Sequence, residues 1–232
     1  LDRLASAFSR QRAFVADASH DLRTPLTIVS GQLEVLSRNP DPSPEEVRRV
    51  STLVRGATER MERLVEDLLM LARSDSPSAM RLELGDLQPL LAAEVESFSD
   101  SGGTRVELGE VSDVQVAVDR ERLARAVSNL LANAVVHAGS GGRVRVSAEE
   151  SDDGLAIRVD DDGPGVPPED REKIFDRFAR LDSSRSSDRG GSGLGLAIVR
   201  AVAQAHGGSA RCSESPLGGA RFTLWLPPAV PD

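Results

Sequence analysis

Phe14-Val15-Ala16-Asp17-Ala18-Ser19-His20-Asp21-Leu22-Arg23-Thr24-Pro25-Leu26 lies in an alanine- and arginine-rich run that predicts one long helix from Leu1 to about Asn39, with Gly31 costing it a little. Phe8, Val15, Leu22, Val29 and Leu36 recur every seven residues and form an apolar seam. His20 falls two positions before a seam residue, on the opposite face, so it points outward. Pro25 lacks an amide proton and its ring crowds the carbonyl of Asp21, which predicts a bend just past the histidine. A second seam shifts here: Ala18 lies three residues after Val15, whereas Leu26 and Leu33 lie four residues after Leu22 and Val29. From these residues alone, two readings of His20 stand equal. It is either a solvent-facing residue on a kinked coiled coil, or a nucleophile whose one ring nitrogen is oriented by Asp21 while the other attacks.

Working outward, Asn39-Pro-Asp-Pro-Ser-Pro44 breaks the helix. Ser43 can cap the next one, Pro44 suits its first turn, and Glu46 completes a capping box. Val47, Val50, Val54, Ala57, Met61, Leu64, Leu68 and Leu71 then alternate at spacings of three and four, a coiled-coil stripe on a helix about 45 Å long. The expected fold of residues 1–73 is an all-α helical hairpin. One partner helix cannot cover its apolar face, so two hairpins are expected to pair into a dimeric four-helix bundle.

The chain has 232 residues and a net charge of -9, and Lys173 is its one lysine among many arginines. No dense basic patch with interleaved aromatics is present, which argues against nucleic acid as the main partner. The lone cysteine, Cys212, excludes an internal disulfide and fits a reducing compartment, and three scattered histidines give no zinc spacing. Because it opens on Leu1 rather than methionine, the sequence is expected to be a piece of a longer chain. No apolar run approaches a membrane span, so any anchor is expected upstream.

Ser74-Asp-Ser-Pro-Ser-Ala-Met80 is a turn-rich linker, and residues 81–232 change character. Strands are predicted at Leu82–Leu84, Arg105–Leu108, Val114–Val118, Arg143–Ala148, Leu155–Asp160, Ser209–Ser213 and Ala220–Leu226. Helices are predicted over Leu87–Phe98, from the cap Asp119 to about Ala138, near Glu169–Phe178, and over Leu194–His206. This is a sheet covered by helices on one side, an α+β sandwich. Ser183 to Gly193 is the only low-complexity loop.

Three clusters in this part bear on chemistry, and each has a bland counterpart. Asn129 and Asn133 share one helical face, where their oxygens can coordinate a hard cation such as Mg²⁺ or simply meet solvent. Asp160-Asp-Asp-Gly-Pro-Gly165 is an acidic turn, or a carboxylate placed to accept from an exocyclic amine such as that of adenine. Gly190-Gly-Ser-Gly-Leu-Gly-Leu196 is a flexible loop, or a helix start that attracts phosphate. It lacks the Lys-Ser or Lys-Thr of a Walker loop.

Together and in this order the motifs resemble the catalytic core of the sensor histidine kinases. Ser19-His-Asp-Leu-Arg-Thr-Pro-Leu26 resembles the H box and Asn129 to Asn133 the N box. Asp161-Asp-Gly-Pro-Gly165 resembles the G1 box, Ile174-Phe-Asp-Arg-Phe178 the F box, and Gly191-Ser-Gly-Leu-Gly195 the G2 box. The resemblance implies a homodimeric phosphotransfer hairpin followed by an ATP-binding domain of the Bergerat or GHKL type, shared with Hsp90, MutL and gyrase. It implies ATP and Mg²⁺ as cofactors, with His20 phosphorylated, Asp21 its polar partner or base, and Asn133 the Mg²⁺ ligand. Asn129 would lie where the related ATPases place a catalytic glutamate. Asp161 would bind the adenine amine, and Gly163 and Gly165 would shape its turn. Phe175 and Phe178 would anchor a lid, and Gly191, Gly193, Leu194 and Gly195 would close over phosphate. Thr24 would orient a water for a second activity, removal of phosphate from a partner aspartate.

Where the family's N box continues with lysine or arginine, this chain has Val136. His137, counted with the nucleotide-binding residues, is a candidate to compensate, as are Arg177, Arg180, Arg185 and Arg189. The resemblance further implies a response-regulator receiver as partner. Leu1 to Phe8 would be the tail of a signalling linker, and the chain the cytoplasmic portion of a membrane-anchored bacterial receptor. The rival readings are a non-catalytic dimeric nucleotide-binding scaffold and an ATPase clamp related to MutL or Hsp90.

Overall fold

The computed structural model describes residues 2–73, 80–99, 103–113, 115–151, 153–179 and 192–228. The side chains of residues 2–15, 17 and 73 are outside that description, and with them the expected seam positions Phe8 and Val15. Of the expected linker, residues 74–79 lie outside the described residues, as do residues 180–191, which include most of the low-complexity loop. The chain divides into two compact units, residues 1–72 and 73–232.

The first unit holds α1 (Asp2–Arg38) and α2 (Pro44–Arg73). The start of α2 is capped reciprocally: the Glu46 amide donates to Ser43 Oγ at 3.2 Å, and the Ser43 amide donates to Glu46 Oε2 at 2.9 Å. Asn39 Nδ2 reaches the same carboxylate at 3.3 Å, so the end of α1 is tied to the start of α2. On α2, Val50, Ala57, Leu64 and Leu71 are buried at every seventh residue, as a heptad stripe requires.

On α1 the seam departs from expectation. Ala18 and Pro25 are buried and Gln32 and Asn39 half-buried, interleaved with half-buried Leu22, Val29 and Leu36. Leu26 and Leu33, expected to continue the seam, are 55% and 51% exposed. The strict alternation of three and four residues passes over them. Pro25, which has no amide to satisfy, can occupy the dry position instead. The helix runs through Pro25 without a break. Leu26 and Leu33 join Ile28, Val35, Leu53, Val65 and Leu69 as exposed apolar residues of the hairpin.

The second unit contains α3 (Leu87–Ser97), α4 (Arg120–Ala138) and α5 (Gly195–Ala205). Its strands are β1 (Glu83–Asp86), β2 (Arg105–Val111), β3 (Gln115–Val118), β4 (Arg143–Ser151), β5 (Gly154–Asp161), β6 (Ser209–Glu214) and β7 (Ala220–Leu226). The main sheet has the order β2-β4-β5-β7-β6, with β2 and β4 parallel and the other pairs antiparallel. β1 and β3 form a separate two-stranded sheet. Val144, Val146 and Ala148 on β4, Leu155, Ile157 and Val159 on β5, and Phe222, Leu224 and Leu226 on β7 are buried. They alternate with more exposed residues in β4 and β7, so one sheet face is packed against α3, α4 and α5.

The helix expected near residues 169–178 is not formed. That stretch holds two short 3-10 turns, Pro168–Asp170 and Lys173–Phe175. Consecutive Pro167 and Pro168 allow only a first turn, and Phe178 adopts φ +61°, which no right-handed helix contains.

Candidate nucleotide site and phospho-acceptor histidine

Asp161 is the last residue of β5, and strand alternation turns its side chain toward the helix-covered face, where it is 1% exposed. Its Oδ1 accepts the amides of Gly163 at 2.9 Å and Ala220 at 3.0 Å. Its Oδ2 accepts no hydrogen bond among the described residues. Burial pushes the carboxyl above its ordinary value of 3.8, and the two amides and His137 pull part of the way back. A half-satisfied buried carboxyl is an acceptor waiting for a donor.

The turn after Asp161 is braced on both sides. The Arg143 amide donates to Asp162 Oδ1 at 2.8 Å, and the Asp162 amide donates back to the Arg143 carbonyl at 3.2 Å. A Cβ on Gly163 would lie 2.8 Å from the His137 carbonyl oxygen, so this turn abuts the end of α4. Gly165 takes φ +73° and faces Gly219.

α4 begins at the cap Asp119, whose Oδ1 accepts the Arg122 amide at 3.1 Å. Asn129 and Asn133 follow one turn apart on one face. Asn129 Oδ1 lies 3.2 Å from where a Cβ on Gly195 would sit, and its Nδ2 is buried with no hydrogen-bond partner. An orphaned buried donor costs about 1–3 kcal/mol, which a bound acceptor would recover. Asn133 is half-buried, Val136 is 50% exposed, and the His137 side chain is exposed, so His137 meets the Gly163 turn through its backbone.

α5 starts at Gly195 with no side-chain cap, leaving its first amides open to an anion. Leu194, expected among the nucleotide contacts, is 0% exposed, so its side chain belongs to the core. Its amide donates to Ser192 Oγ at 3.3 Å. Phe178 holds this lead-in, its amide donating to the Gly193 carbonyl at 2.9 Å. Phe175 is buried edge-on against Phe222, with ring centroids 6.3 Å apart. Gly191 lies outside the described residues.

On the hairpin, the His20 side chain is 77% exposed and its Nδ1 stands 3.4 Å from Asp21 Oδ1. Arg23, Thr24, Thr27 and Ile28 line a shallow depression with it. Thr27 spends its hydroxyl on the Arg23 carbonyl at 2.9 Å. The Thr24 hydroxyl makes no hydrogen bond among the described residues.

Residues 10–77 match the family described as the His Kinase A (phospho-acceptor) domain, and residues 118–230 match the histidine kinase-, DNA gyrase B- and HSP90-like ATPases. The chain belongs to the sensor histidine kinases. The probable sensor histidine kinase TcrY of Mycobacterium tuberculosis is 41% identical over 98% of this chain and 49% of its own length, so the chain spans about half of that relative. The solved structure of the Acinetobacter baumannii histidine kinase AdeS superposes with a TM-score of 0.71 at 25% identity, covering 91% of this chain and 98% of AdeS. Histidine kinase ThkA, solved in complex with response regulator protein TrrA, shares the fold at a TM-score of 0.71 and 21% identity, over 98% of this chain and 64% of ThkA.

The structure brings Asn129 on α4 beside Gly195 at the start of α5, and sets the Gly163 turn after β5 against the end of α4. The residues suit ATP: a buried acceptor at Asp161, an orphaned donor at Asn129, and an uncapped helix start at Gly195. Among the described residues no cluster of three or more His, Cys, Asp and Glu could hold a metal alone. The half-buried Asn133 offers one oxygen of the kind that Mg²⁺ takes beside substrate phosphates. No helix among them is long and apolar enough to cross a membrane.

Gly219 and the amide of Ala220 escaped the sequence reading. Gly219 donates to the Asp161 carbonyl at 3.1 Å, and any Cβ there would collide with the Asp161 carboxylate. A glycine pair before an alternating strand was the one available signal, and it reads equally as a turn.

Proposed function

We propose that this chain is the autokinase core of a sensor, in which His20 takes the γ-phosphoryl group of ATP and passes it to an aspartate of a response-regulator receiver. The observation that carries the proposal is His20 itself: an exposed imidazole on a helix with a buried seam, with Nδ1 facing the Asp21 carboxylate. Asp21 holds the proton on Nδ1 and leaves Nε2 as the attacking nitrogen. As the bond from Nε2 to phosphorus forms, the bond to the β,γ-bridging oxygen breaks and ADP leaves with the electron pair.

The residues of the second unit bind and position. Asp161 accepts the adenine amine, Gly163, Gly165 and Gly219 give the base its close approach, and the open amides at Gly195 with Asn129 Nδ2 face phosphate. Asn133 would hold Mg²⁺, which when bound neutralises phosphate charge. Phe175 and Phe178 keep the approach to α5 in place.

The exposed leucines and valines of the hairpin support a homodimer in which two copies cover each other's apolar faces. The complex of ThkA with TrrA supports a receiver as partner. The incomplete span of TcrY supports sensor and membrane segments outside this chain. Thr24, its hydroxyl uncommitted one turn past His20, supports a phosphatase step in which it orients a water. Thr24→Ala should impair receiver dephosphorylation more than autophosphorylation.

Incubation with γ-labelled ATP tests the reading. Wild type should acquire an acid-labile, alkali-stable label, lost in His20→Gln and in Asp161→Asn. A folded, ATP-binding protein that acquires no label is a scaffold, and hydrolysis without label marks an ATPase.

A further inference from the structure

The second unit contains an ion pair that the proposed chemistry does not use. Asp160 precedes the nucleotide carboxylate on β5, and by alternation its side chain lies on the opposite sheet face, away from the helices. It is nevertheless 2% exposed, because the Arg221 guanidinium lies over it. Arg221 Nε donates to Asp160 Oδ1 at 2.7 Å and its terminal nitrogen donates to Oδ2 at 2.9 Å, a two-pronged fork. Among the described residues Arg221 alone bonds this carboxylate. Arg145 pairs with Asp160 across the β4–β5 ladder, but its guanidinium turns to Glu107 at 2.7 Å.

The fork sits where the regular ladder stops. Asp160 and Arg221 are the last residues that β5 and β7 pair with each other. One residue further, the contacts serve Asp161: the Ala220 amide donates to its Oδ1 and the Gly219 amide to its carbonyl. The two ends of the fork therefore flank the two residues whose bond aims the carboxylate.

We infer that Arg221 is a positioning residue for the nucleotide site: its fork on Asp160 pins the start of β7 to the end of β5, so that Ala220 occupies Asp161 Oδ1 and leaves Oδ2 for the base. The inference rests on the reading that Asp161 receives the adenine amine. Without Arg221, Asp160 is a buried carboxylate with no partner. It escapes by rotating outward, which frees the first residues of β7 from β5.

The test uses the full chain, titrated with ATP and with inosine triphosphate, which lacks the exocyclic amine. Arg221→Ala should weaken ATP binding about tenfold and raise KM for ATP equally, with kcat at saturation unchanged. It should also shrink the preference for ATP over inosine triphosphate, because binding of the latter does not use Oδ2 as an amine acceptor. Arg221→Lys, which keeps one prong, should fall between, and serves in place of the alanine variant if that does not fold. Arg145→Ala removes a charge pair from the same sheet face without touching β7 and should bind ATP as wild type does.

A folded Arg221 variant with wild-type affinity and base preference overturns the inference, as does an equal loss in Arg145→Ala. Loss of kcat with base preference intact assigns Arg221 a merely structural part and also overturns it. Asp161→Asn separates this from the parent reading: if that variant keeps its ATP preference, the assignment of Asp161 fails whatever Arg221 does.

Discussion

Gly219 lies flat against Asp161, donating its amide to the Asp161 carbonyl at 3.1 Å and leaving no room for a Cβ beside the carboxylate. A Cβ at Gly219 would also come 2.5 Å from the Gly163 amide nitrogen, so it would press on both sides of the turn. Gly219 is absent from the positive-φ glycines, so the constraint is space rather than backbone conformation. Gly219→Ala should therefore weaken ATP binding by about tenfold or more, the equivalent of the 1–3 kcal/mol that overpacking commonly costs. Titration calorimetry with ATP checks it, and wild-type affinity would show that the turn moves freely.

The same carboxyl predicts a trade between stability and binding. Burial holds its pKa above the ordinary 3.8, so between those two values the native state keeps a proton that the unfolded chain has released. Wild-type stability therefore falls as pH rises through that interval and stays lower above it. Asp161→Asn removes the ionisation yet retains an oxygen for the Gly163 and Ala220 amides. The variant should resist urea better than wild type at pH 7, and the advantage should shrink as pH falls through that interval and vanish below 3.8. It should also lose ATP, because a donor replaces Oδ2. Trp225 on β7 is the only tryptophan, so its fluorescence reports unfolding of this unit.

Local chemistry was legible wherever it acts within a few residues. The Ser43 and Glu46 box, the Asp119 cap and the alternation of Ala220–Leu226 all stand where their spacing put them. Failures came where distant chain decides. Leu26 and Leu33 look like seam residues, but Pro25 is the buried residue and Gln32 the half-buried one. Glu169 to Phe178 has helical composition, but Phe178 is bent to φ +61° by its bond to Gly193. Within the candidate site, the motif glycines and asparagines were readable as types. The Asp160–Arg221 fork and Gly219 were not, since only β5–β7 pairing brings them to Asp161.

Gly193 predicts a second glycine-specific loss, of a different kind. It sits at φ +71°, and a Cβ there would lie 2.8 Å from the Phe178 Cα, so both conformation and space oppose a side chain. Gly193→Ala should destabilise the second unit by about 1–3 kcal/mol, read as a lower urea midpoint of Trp225 fluorescence. Because Gly195 opens α5 two residues later, ATP affinity should fall with it. Unchanged stability would mean that Phe178 and Gly193 separate without cost.

Val136 offers a gain rather than a loss. It follows Asn129 and Asn133 at the seven- and three-residue spacings that keep all three on one face of α4, and it is 50% exposed. A lysine here would place positive charge toward the phosphates that Asn133 is proposed to serve. An exposed charge pair of this kind contributes up to about 1 kcal/mol, which corresponds to a KM for ATP lower by about fivefold in Val136→Lys. Folding should be little affected, because an exposed valine contributes little packing at this site. The gain should shrink at about 1 M salt, where the screening length falls to about 3 Å. A KM unchanged at low salt would mean that another side chain already supplies this charge, and that the departure at Val136 is compensated within the site.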